Sequence, residues 1–358
     1  MGDGSGLSQT DAFYREEVQL ALRNKGMPLE AQRYPITPVG LHYLLVHFDI
    51  PEVNAGDWHL DIGGLVARRT SLTLEDIKKR PSVTVPVTLE CAGNGRALLT
   101  PRPATQPWFV EGVGTAEWTG TPLRPILEES GLDEKTTEVV FSGLDQGVQG
   151  DVLQYYQRSL SVREAMGDDV LLAYQMNGEM LQPQHGYPVR LLVPGWYGMT
   201  SVKWLQSIEA VGTPFDGYQM LRSYRYAKSA TDQGDPVSLI KVRALMVPPG
   251  IPDFLTRVRL VKAGMVTLTG RAWVGRSDVS RVEVSVDGAS SWRQADLEPK
   301  VSRHAWKGWS FKWAAKSGKY TLCVRAADAE GNVQPITQTW NFQGMGNNMV
   351  QRVSVVVE

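Results

Sequence analysis

A cysteine followed by a glycine-rich turn is the first feature of this sequence that could carry chemistry. Cys91 comes directly after an apolar run at residues 83–90 and opens the segment Cys-Ala-Gly-Asn-Gly-Arg, which ends at Arg96. A side chain at a strand end is held on rigid backbone, and glycines let a bulky ligand approach closely. A neighbouring arginine favours the thiolate, the form that binds metals. The alternative is a buried structural thiol, the usual state of a free cysteine.

A second group of polar residues surrounds another glycine-rich loop. His185 and Arg190 precede an apolar run at residues 191–193, and Lys203 follows the Pro-Gly-Trp-Tyr-Gly stretch at residues 194–198. Positive charges together with backbone N–H groups can hold a phosphate group. Taken singly, each of these charges has a solvated surface position as its alternative.

The cysteine content excludes several kinds of site. Cys91 and Cys323 are the only two cysteines, and no Cys-x-x-Cys pair occurs. We therefore expect neither a structural zinc site nor an iron–sulfur cluster. Cys323 lies in an alternating apolar run, where a buried thiol is expected, so we predict two free thiols and no disulfide. No G-x-G-x-x-G motif occurs, and we expect no nicotinamide cofactor.

Composition describes an ordinary globular protein. The 358 residues are 42% hydrophobic and 21% charged, with a formal net charge of -1, which predicts two or three domains and no affinity for nucleic acid. No apolar run is long enough for a membrane span. The first ten residues, MGDGSGLSQT, lack a signal peptide core and a twin-arginine pair. We expect a cytoplasmic protein, or a periplasmic one if a leader precedes this chain.

The elements that would position these residues alternate between helix and strand. Residues 14–22 predict a short helix in an N-terminal arm, and capping signals predict helices after Thr73, Thr121 and Ser161. Apolar runs between the later helices predict strands, at residues 83–90, 138–141, 170–174 and 189–193. The pattern from residue 41 to 212 predicts an α+β fold with mixed sheets.

The C-terminal part has a different texture. Residues 213–250 are rich in Pro, Gly, Asp and Ser without clear periodicity, and we expect a connection there. Alternating runs then recur between residues 265 and 357. About 100 residues of this kind predict an immunoglobulin-like β-sandwich. We place the domains at residues 1–235 and 236–358.

The cysteine segment resembles a known motif. Residues 90–96 (Glu-Cys-Ala-Gly-Asn-Gly-Arg) are similar to the molybdenum-cysteine motif of the sulfite oxidase family, which plant nitrate reductase shares. The stretches His-Gly-Tyr-Pro-Val-Arg (185–190), Val-Pro-Gly (193–195) and Val-Lys-Trp-Leu (202–205) resemble the family's pterin-binding region, in the expected order.

Further stretches extend the resemblance to roughly residues 35–358. Gly-Leu-Asp (143–145) and Leu-Leu-Ala-Tyr-Gln-Met-Asn-Gly (171–178) also fit the family. Val-Ser-Val-Asp-Gly (284–288) and Asn-Val-Gln-Pro (332–335) resemble its dimerisation domain. The resemblance therefore implies a sulfite-oxidase-type molybdopterin domain followed by a sandwich, and a homodimer.

The resemblance assigns roles to individual residues. Cys91 is expected to ligate molybdenum, whose other sulfur ligands come from the pterin dithiolene. The residues expected to hold the pterin and its phosphate are His47, Asp145, His185, Arg190 and Lys203. The residues expected to face the substrate are Tyr156, with Tyr155 as its rival, Arg96 and Trp108.

The implied activity is oxygen-atom transfer, most simply the oxidation of sulfite to sulfate. In this reaction the cofactor supplies the chemistry, and the protein supplies orientation and charge. No His-Pro-Gly-Gly haem motif precedes the molybdenum region. We therefore expect no haem, and electrons that leave through a separate carrier of the cytochrome kind or to oxygen.

Two departures from the family concern the substrate. Leu45 and Gln343 occupy positions where the family places pocket arginines. A charge-assisted contact to a buried anion is worth about 1.5–3 kcal/mol, so losing two costs about two to four decades of affinity. Arg222, Arg225 and Lys228 are candidates for compensation.

Three hypotheses follow from the sequence. The first is sulfite oxidation. The second is the same cofactor acting on a less charged substrate, through reduction of a sulfoxide, another S- or N-oxide, or nitrate. Sulfoxide reductases of this superfamily carry a different context around the cysteine, which favours the first. The third is a module that has lost catalysis and serves only binding or association.

Overall fold

Short helices alternate with many strands in this protein. The computed structural model describes residues 12–358. Its α-helices are α1 (Arg15–Arg23), α2 (Leu74–Lys78), α3 (Leu123–Ser130), α4 (Val162–Ala165) and α5 (Tyr218–Leu221). Its 3₁₀ helices are Leu29–Arg33, Val39–Leu41, Arg96–Leu98, Pro183–His185 and Gly198–Thr200. The predicted helices are present at each position that the capping signals indicated.

The strands divide between two halves of the chain. The first ten are β1 (His59–Gly64), β2 (Thr70–Thr73), β3 (Val83–Glu90), β4 (Val113–Pro122), β5 (Glu138–Gln149), β6 (Val152–Ser161), β7 (Leu171–Met176), β8 (Glu179–Met180), β9 (Arg190–Leu192) and β10 (Leu205–Val211). The others are β11 (Arg225–Tyr226), β12 (Asp235–Pro236), β13 (Arg243–Met246), β14 (Ile251–Pro252), β15 (Arg259–Val261), β16 (Gly264–Trp273), β17 (Val279–Ser285), β18 (Arg293–Gln294), β19 (Asp296–Leu297), β20 (Lys307–Ala315), β21 (Gly318–Asp328) and β22 (Gln351–Val357).

Local sequence signals explain where the helices begin and end. The Thr73 side chain accepts a hydrogen bond from the Asp76 N–H and so caps α2. Ser161 caps α4 through the Glu164 N–H. Gly131, with φ of 68°, ends α3 in the left-handed conformation that glycine adopts without strain. Pro122, expected inside α3, is instead its N-cap residue.

Two sheets build the N-terminal domain. One has the order β2-β1-β10-β5-β6, in which β1 and β10 are parallel and the other pairs antiparallel. The other has the order β3-β4-β7-β8, with β9 paired to β7. A shared apolar core that includes Leu60, Phe141 and Leu191 lies beneath them. The predicted α+β fold with mixed sheets is therefore confirmed.

The C-terminal domain is a β-sandwich. One sheet has the order β13-β16-β20-β19, and the other has the order β14-β15-β22-β21-β17-β18. Side chains of both sheets, such as Trp309 and Val282, share one apolar core. Cys323 of β21 is fully buried, and both cysteines are free thiols, as the sequence predicts.

The expected connection at residues 213–250 is more structured than the sequence indicated. It contains α5, the hairpin β11–β12 and β13, and β13 belongs to the sandwich. All four residues of β13 are buried, so this strand lacks the polar alternation that reveals a half-exposed strand. The domain division after residue 235 stays a prediction.

Across residues 12–358, no helix combines the length and the apolar character that crossing a lipid bilayer requires.

Candidate active site

Cys91 lies at the start of a tight turn that follows β3. Its N–H donates to the Gly112 carbonyl at 2.8 Å, and its carbonyl accepts from the Asn94 N–H at 3.0 Å. A Cβ atom on Gly93 would come within 2.6 Å of the Arg96 guanidinium. Glycine at this position therefore lets the Arg96 side chain fold back over the turn.

Glu90, the residue before the cysteine, ties this turn to the C-terminal domain. Its carboxylate accepts from Arg243 at 2.7 Å, from the Asn94 side chain at 2.9 Å and from the Trp273 indole at 2.8 Å. Both members of the Glu90–Arg243 pair are 1% exposed. A buried ion pair of this kind is rigid because each charge depends on the other for solvation.

The chemistry of the thiol depends on burial. Cys91 is 6% exposed. Burial raises the pKa of the Cys91 thiol, and the charge of Arg96 opposes that rise. Arg96 therefore favours the thiolate, as expected, but desolvation outweighs its effect on the pKa. A bound metal cation would restore the thiolate, since a coordinating thiol loses its proton.

A cavity with about 630 Å³ of empty space, part of it open to solvent, lies on one side of Cys91. The predicted cofactor residues all line it, and they are His47, Asp145, His185, Arg190 and Lys203. Strand pairing explains part of this convergence. Asp145 lies in the irregular middle of β5, whose Gly143 pairs with Leu205 of β10, just after Lys203. Tyr156 of β6 lies on the other side of β5.

The cavity's two principal cations are held by backbone carbonyls. Arg190 donates to the carbonyls of His185 at 3.1 Å and Ser201 at 3.0 Å. Lys203 donates to the carbonyls of Leu45 at 2.9 Å and Gln184 at 3.0 Å. Both side chains are thus fixed in place by backbone carbonyls, and neither forms a salt bridge with a carboxylate within residues 12–358.

The histidines of this cavity are neutral at physiological pH. Burial lowers the pKa of His42 to about 4, of His47 to about 3 and of His185 to about 2. The nearby cations Arg190 and Lys203 push the pKa of His185 in the same direction. Neutral rings can both donate and accept hydrogen bonds.

Burial also acts on Asp145 and Lys203, an acid and a base that both line this cavity. It raises the pKa of Asp145 and lowers that of Lys203, while their mutual attraction opposes both shifts. The pair therefore offers the cavity one hydrogen-bond acceptor and one hydrogen-bond donor, and the protonation state of each depends on the other.

Several buried polar atoms around Cys91 have no hydrogen-bonding partner among the described residues, as expected if a ligand rich in nitrogen and oxygen binds there. Arg190 Nε and His42 Nε2 are buried and have no hydrogen-bonding partner among the described residues. The Trp108 indole N–H, on the other side of Cys91, also lacks a partner. Buried polar groups without partners are rare in proteins and costly. Their place in the cavities fits a pterin with its phosphate on one side and a polar substrate on the other.

A second cavity, with about 870 Å³ of empty space that is partly open to solvent, lies in front of Cys91. Arg96 and Trp108, both predicted to face the substrate, line it. Arg96 is held by the carbonyls of Gln343 at 2.9 Å and Gln106 at 3.2 Å. This second cavity is called the front cavity below, and the first is called the cofactor cavity.

Tyr224 is the main residue that the sequence analysis missed. It lines both cavities, and its hydroxyl lies 2.5 Å from His47 Nε2. Burial raises the pKa of the Tyr224 hydroxyl, which keeps its proton. No signal marked it, because it lies in the stretch expected to be a connection. His42 and Tyr43 of the cofactor cavity were also missed.

The two neighbouring tyrosines differ in their burial. Tyr156 is 4% exposed, lines the cofactor cavity and stacks on His47 at 4.6 Å between ring centroids. Its hydroxyl donates to the Met199 carbonyl at 2.8 Å. Tyr155 is 43% exposed and lies on the opposite face of the strand. The catalytic role of Tyr156 stays a prediction.

The expected compensation for the two absent arginines is wrong. Arg222 and Lys228 are exposed. Arg225 uses its guanidinium to hold the carbonyls of Met220 at 3.0 Å and Gly234 at 2.7 Å. None of the three lines either cavity.

Another buried cation lies close to Tyr224, outside the lining of both cavities. Arg158 of β6 is 2% exposed, and its guanidinium carbon lies 5.4 Å from the centre of the Tyr224 ring. It donates to the Gln219 carbonyl, its Nε has no partner, and no ion pair to it occurs within residues 12–358. Its positive charge therefore acts on Tyr156 and Tyr224 without being neutralised by a carboxylate.

The fold and the two cavities define a molybdopterin-binding oxidoreductase. Residues 47–219 match the family model described as oxidoreductase molybdopterin binding domain, and residues 240–358 match the one described as Mo-co oxidoreductase dimerisation domain. The chain belongs to the family of molybdenum-pterin oxidoreductases of the sulfite oxidase and nitrate reductase type.

Individual relatives agree with this assignment. Nitrate reductase [NADH] 1 of Arabidopsis thaliana is 33% identical over 89% of this chain, and mitochondrial sulfite oxidase of Mus musculus is 32% identical over 94%. The matches span 38% and 66% of those proteins. The sulfane dehydrogenase SoxCD of Paracoccus pantotrophus shares the fold, with a TM-score of 0.81 over all of this chain and 89% of that one, at 24% identity.

Proposed function

We propose that this protein oxidises sulfite to sulfate by oxygen-atom transfer at a molybdenum-pterin cofactor. The observation that carries the proposal is the position of Cys91 between a cavity lined by His185, Arg190 and Lys203 and a front cavity that holds Arg96. A single thiolate at this junction meets the cofactor on one side and the substrate on the other.

Each residue then has a defined task. When bound, the cofactor supplies oxygen-atom transfer and stores two electrons. Cys91 ligates the molybdenum, and His185, Arg190 and Lys203 bind the pterin and its phosphate through charge and hydrogen bonds. These residues are fixed before the cofactor arrives, so little reorganisation is needed on binding.

The residues of the front cavity orient the substrate. Sulfite, SO₃²⁻, takes up one oxygen atom derived from water and leaves as SO₄²⁻, with two protons and two electrons released. Arg96 attracts the anion. Tyr224 donates its hydroxyl proton to a substrate oxygen in the tautomer of His47 whose Nε2–H donates to the Tyr224 oxygen. The Trp108 indole N–H, which has no hydrogen-bonding partner among residues 12–358, supplies a further donor.

A second candidate function follows from Leu45 and Gln343. With neither arginine present, the front cavity is less positive than a site built for a dianion, and a less charged substrate would lose less by desolvation there. Reduction of a sulfoxide, another S- or N-oxide, or nitrate belongs to this candidate.

Anaerobic spectroscopy of the molybdenum separates the two candidates. Addition of millimolar sulfite to the oxidised protein should reduce Mo(VI). If the metal stays oxidised with sulfite, and the dithionite-reduced protein is reoxidised by a sulfoxide, an N-oxide or nitrate, the second candidate replaces the first.

Replacement of the metal ligand tests the assignment of Cys91. Cys91→Ser should abolish turnover and leave the circular dichroism spectrum unchanged, whereas full activity in this variant would refute the ligand role. Metal analysis addresses the third hypothesis. Protein from a host that makes the pterin but containing no molybdenum would indicate a binding module without catalysis.

We also propose that the protein is a homodimer whose electrons pass to a separate carrier of the cytochrome kind or to oxygen. The dimerisation-domain match supports the homodimer, and so does the exposed apolar tip at Phe254 and Leu255, each 84% exposed. Sedimentation equilibrium should give twice the chain mass. Phe254→Ser combined with Leu255→Ser should lower that mass if the tip lies in the interface.

A further inference from the structure

Helix α1 closes one side of the front cavity. Leu20 and Asn24 line that cavity together with Cys91, Arg96 and Trp108. Both residues precede residue 47, where the match to the molybdopterin-binding family model begins. The route to Cys91 is thus completed by a segment outside the matched domain.

The spacing along α1 explains which side chains face inward. Glu17, Leu20 and Asn24 are three and four residues apart, so they share one face of the helix. Glu17 is 2% exposed and Asn24 is 5% exposed. Leu22, on the opposite face, is 83% exposed. The inward face therefore belongs to the cavity wall, and the outward face belongs to the surface.

A buried carboxylate anchors the first half of the helix. Glu17 accepts from the Arg102 guanidinium, from the Thr105 N–H at 3.3 Å and from the Tyr14 N–H at 3.0 Å. Arg102 also covers the Phe13 ring, with its guanidinium carbon 4.3 Å from the ring centre. Breaking such a buried pair is costly because it leaves one charge unpaired. The helix is thus a fixed wall.

Asn24 anchors the other end and connects the wall to Arg96. Its side-chain oxygen accepts from the Val46 N–H at 2.7 Å, and its side-chain nitrogen donates to the Gln106 side chain at 2.8 Å. The Gln106 carbonyl in turn accepts from Arg96 at 3.2 Å. The position of α1 and the position of the substrate-facing arginine are therefore linked.

We infer that α1 is the specificity-determining wall of the front cavity, with Leu20 setting the size of the sulfur compound that reaches Cys91. The inference rests on the proposed function for the nature of the substrate, but not for the geometry of access. A small oxyanion passes Leu20, whereas an organic group attached to sulfur meets its side chain. Removing or enlarging that side chain should therefore change access in opposite directions.

Thiol labelling of cofactor-free protein tests access without any catalysis. In a Cys323→Ala background, Leu20→Ala should speed the reaction of Cys91 with a bulky fluorescent maleimide by about 10-fold, since a few methylene groups in a pocket have effects of this size. Leu20→Trp should slow the reaction with both the maleimide and iodoacetamide. Leu22→Ala is the matched control on the exposed face, and it should label at the rate of the unaltered protein.

Kinetics of the loaded enzyme provide a second measurement. Benzenesulfinate accepts an oxygen atom on sulfur, as sulfite does, but carries a phenyl group. The ratio of kcat/KM for benzenesulfinate to that for sulfite should rise about 10-fold in Leu20→Ala and fall in Leu20→Trp.

The outcomes separate the inference from the proposed function. Cofactor-free Cys91 also lines the cofactor cavity. Unchanged labelling in both Leu20 variants together with an unchanged kcat/KM ratio would therefore overturn the role of α1. Altered labelling in a protein that does not oxidise sulfite would support the wall and refute the proposed substrate.

Discussion

Gln343 fixes Tyr224 by hydrogen bonding to the backbone on both sides of it. The Gln343 side-chain oxygen accepts from the Arg225 N–H at 3.0 Å, and its nitrogen donates to the Arg222 carbonyl at 2.8 Å. Tyr224 between them has φ of 57°, a conformation that a tyrosine adopts only when its surroundings enforce it. At position 343, where the family resemblance predicts an arginine, the protein therefore has a glutamine that holds the backbone around Tyr224 and carries no charge.

Removing this clamp should displace Tyr224. Gln343→Met keeps the side-chain length but loses both hydrogen bonds, each worth about 0.5–1.5 kcal/mol. We expect kcat/KM for sulfite to fall about 10-fold or more, because the Tyr224 hydroxyl leaves His47. Steady-state kinetics measure the loss, and the control is Gln294→Met at an exposed glutamine of β18. Unchanged kinetics in Gln343→Met would contradict the importance of the clamp.

Arg158 should act on substrate binding through its charge. Arg158→Gln removes a buried cation close to Tyr224, and we expect KM for sulfite to rise about 10-fold with a smaller change in kcat. Arg158→Lys should restore part of the affinity because it keeps the charge. The control is Arg163→Gln, at an arginine whose side chain is 91% exposed. Equal losses in the Gln and Lys variants would indicate a structural role for Arg158 only.

Sequence reasoning reached the cofactor cavity more easily than the front cavity, and the reason is physical. Cys91, His185, Arg190 and Lys203 lie in contiguous motifs that end at strands, so their neighbourhood follows from local pattern. Tyr224 reaches the front cavity because its own backbone is left-handed, within an irregular segment. Its position depends on a contact with Gln343, more than a hundred residues away, which no local pattern reports.

The strands show the same limit of prediction from local sequence patterns. β3 was predicted from residue 83 to 90 because a proline-containing apolar run precedes the glycine turn. β13 was missed because burial on both faces removes its alternation. Arg158 was missed for a related reason, since a charged residue on a strand reads as solvent-exposed until the packing of α5 against β6 buries it.

The Glu90–Arg243 pair should dominate the stability of the junction between the domains. Arg243→Met leaves a buried carboxylate without its partner, which costs about 3–5 kcal/mol. Combining it with Glu90→Gln should recover a large part of that loss, because the unpaired charge is gone. Urea unfolding followed by tryptophan fluorescence measures the free energy of unfolding. Glu128→Gln, which breaks an exposed pair with Arg124, serves as the control and should change little.

Buried neutral histidines should make the cofactor-free protein sensitive to acid. The folded-state pKa of His42 is about 4 and that of His185 is about 2, both below the usual value of 6.5. Below pH 6.5 the unfolded chain therefore binds protons that the folded chain cannot, so stability falls as pH falls. Each histidine contributes up to about 1.4 kcal/mol per pH unit.

The contribution of His42 should be separable from that of the carboxylates. In His42→Gln the free energy of unfolding should fall less steeply between pH 6 and 4.5 than in the unaltered protein, by about 1.4 kcal/mol per pH unit. Denaturant titrations at several pH values measure this difference. His59→Gln, at an exposed histidine, should leave the slope as it is. Identical slopes in His42→Gln and the unaltered protein would show that His42 is charged when folded.

The contact between Arg96 and the Gln343 carbonyl joins residues 247 positions apart in the chain. During synthesis on the ribosome, the cysteine turn emerges long before the segment that fixes Arg96 and Tyr224 around it. An emerging chain that has completed only its first domain therefore carries the thiol without its finished surroundings. The surroundings of Cys91 are therefore complete only once residues of both domains have come together.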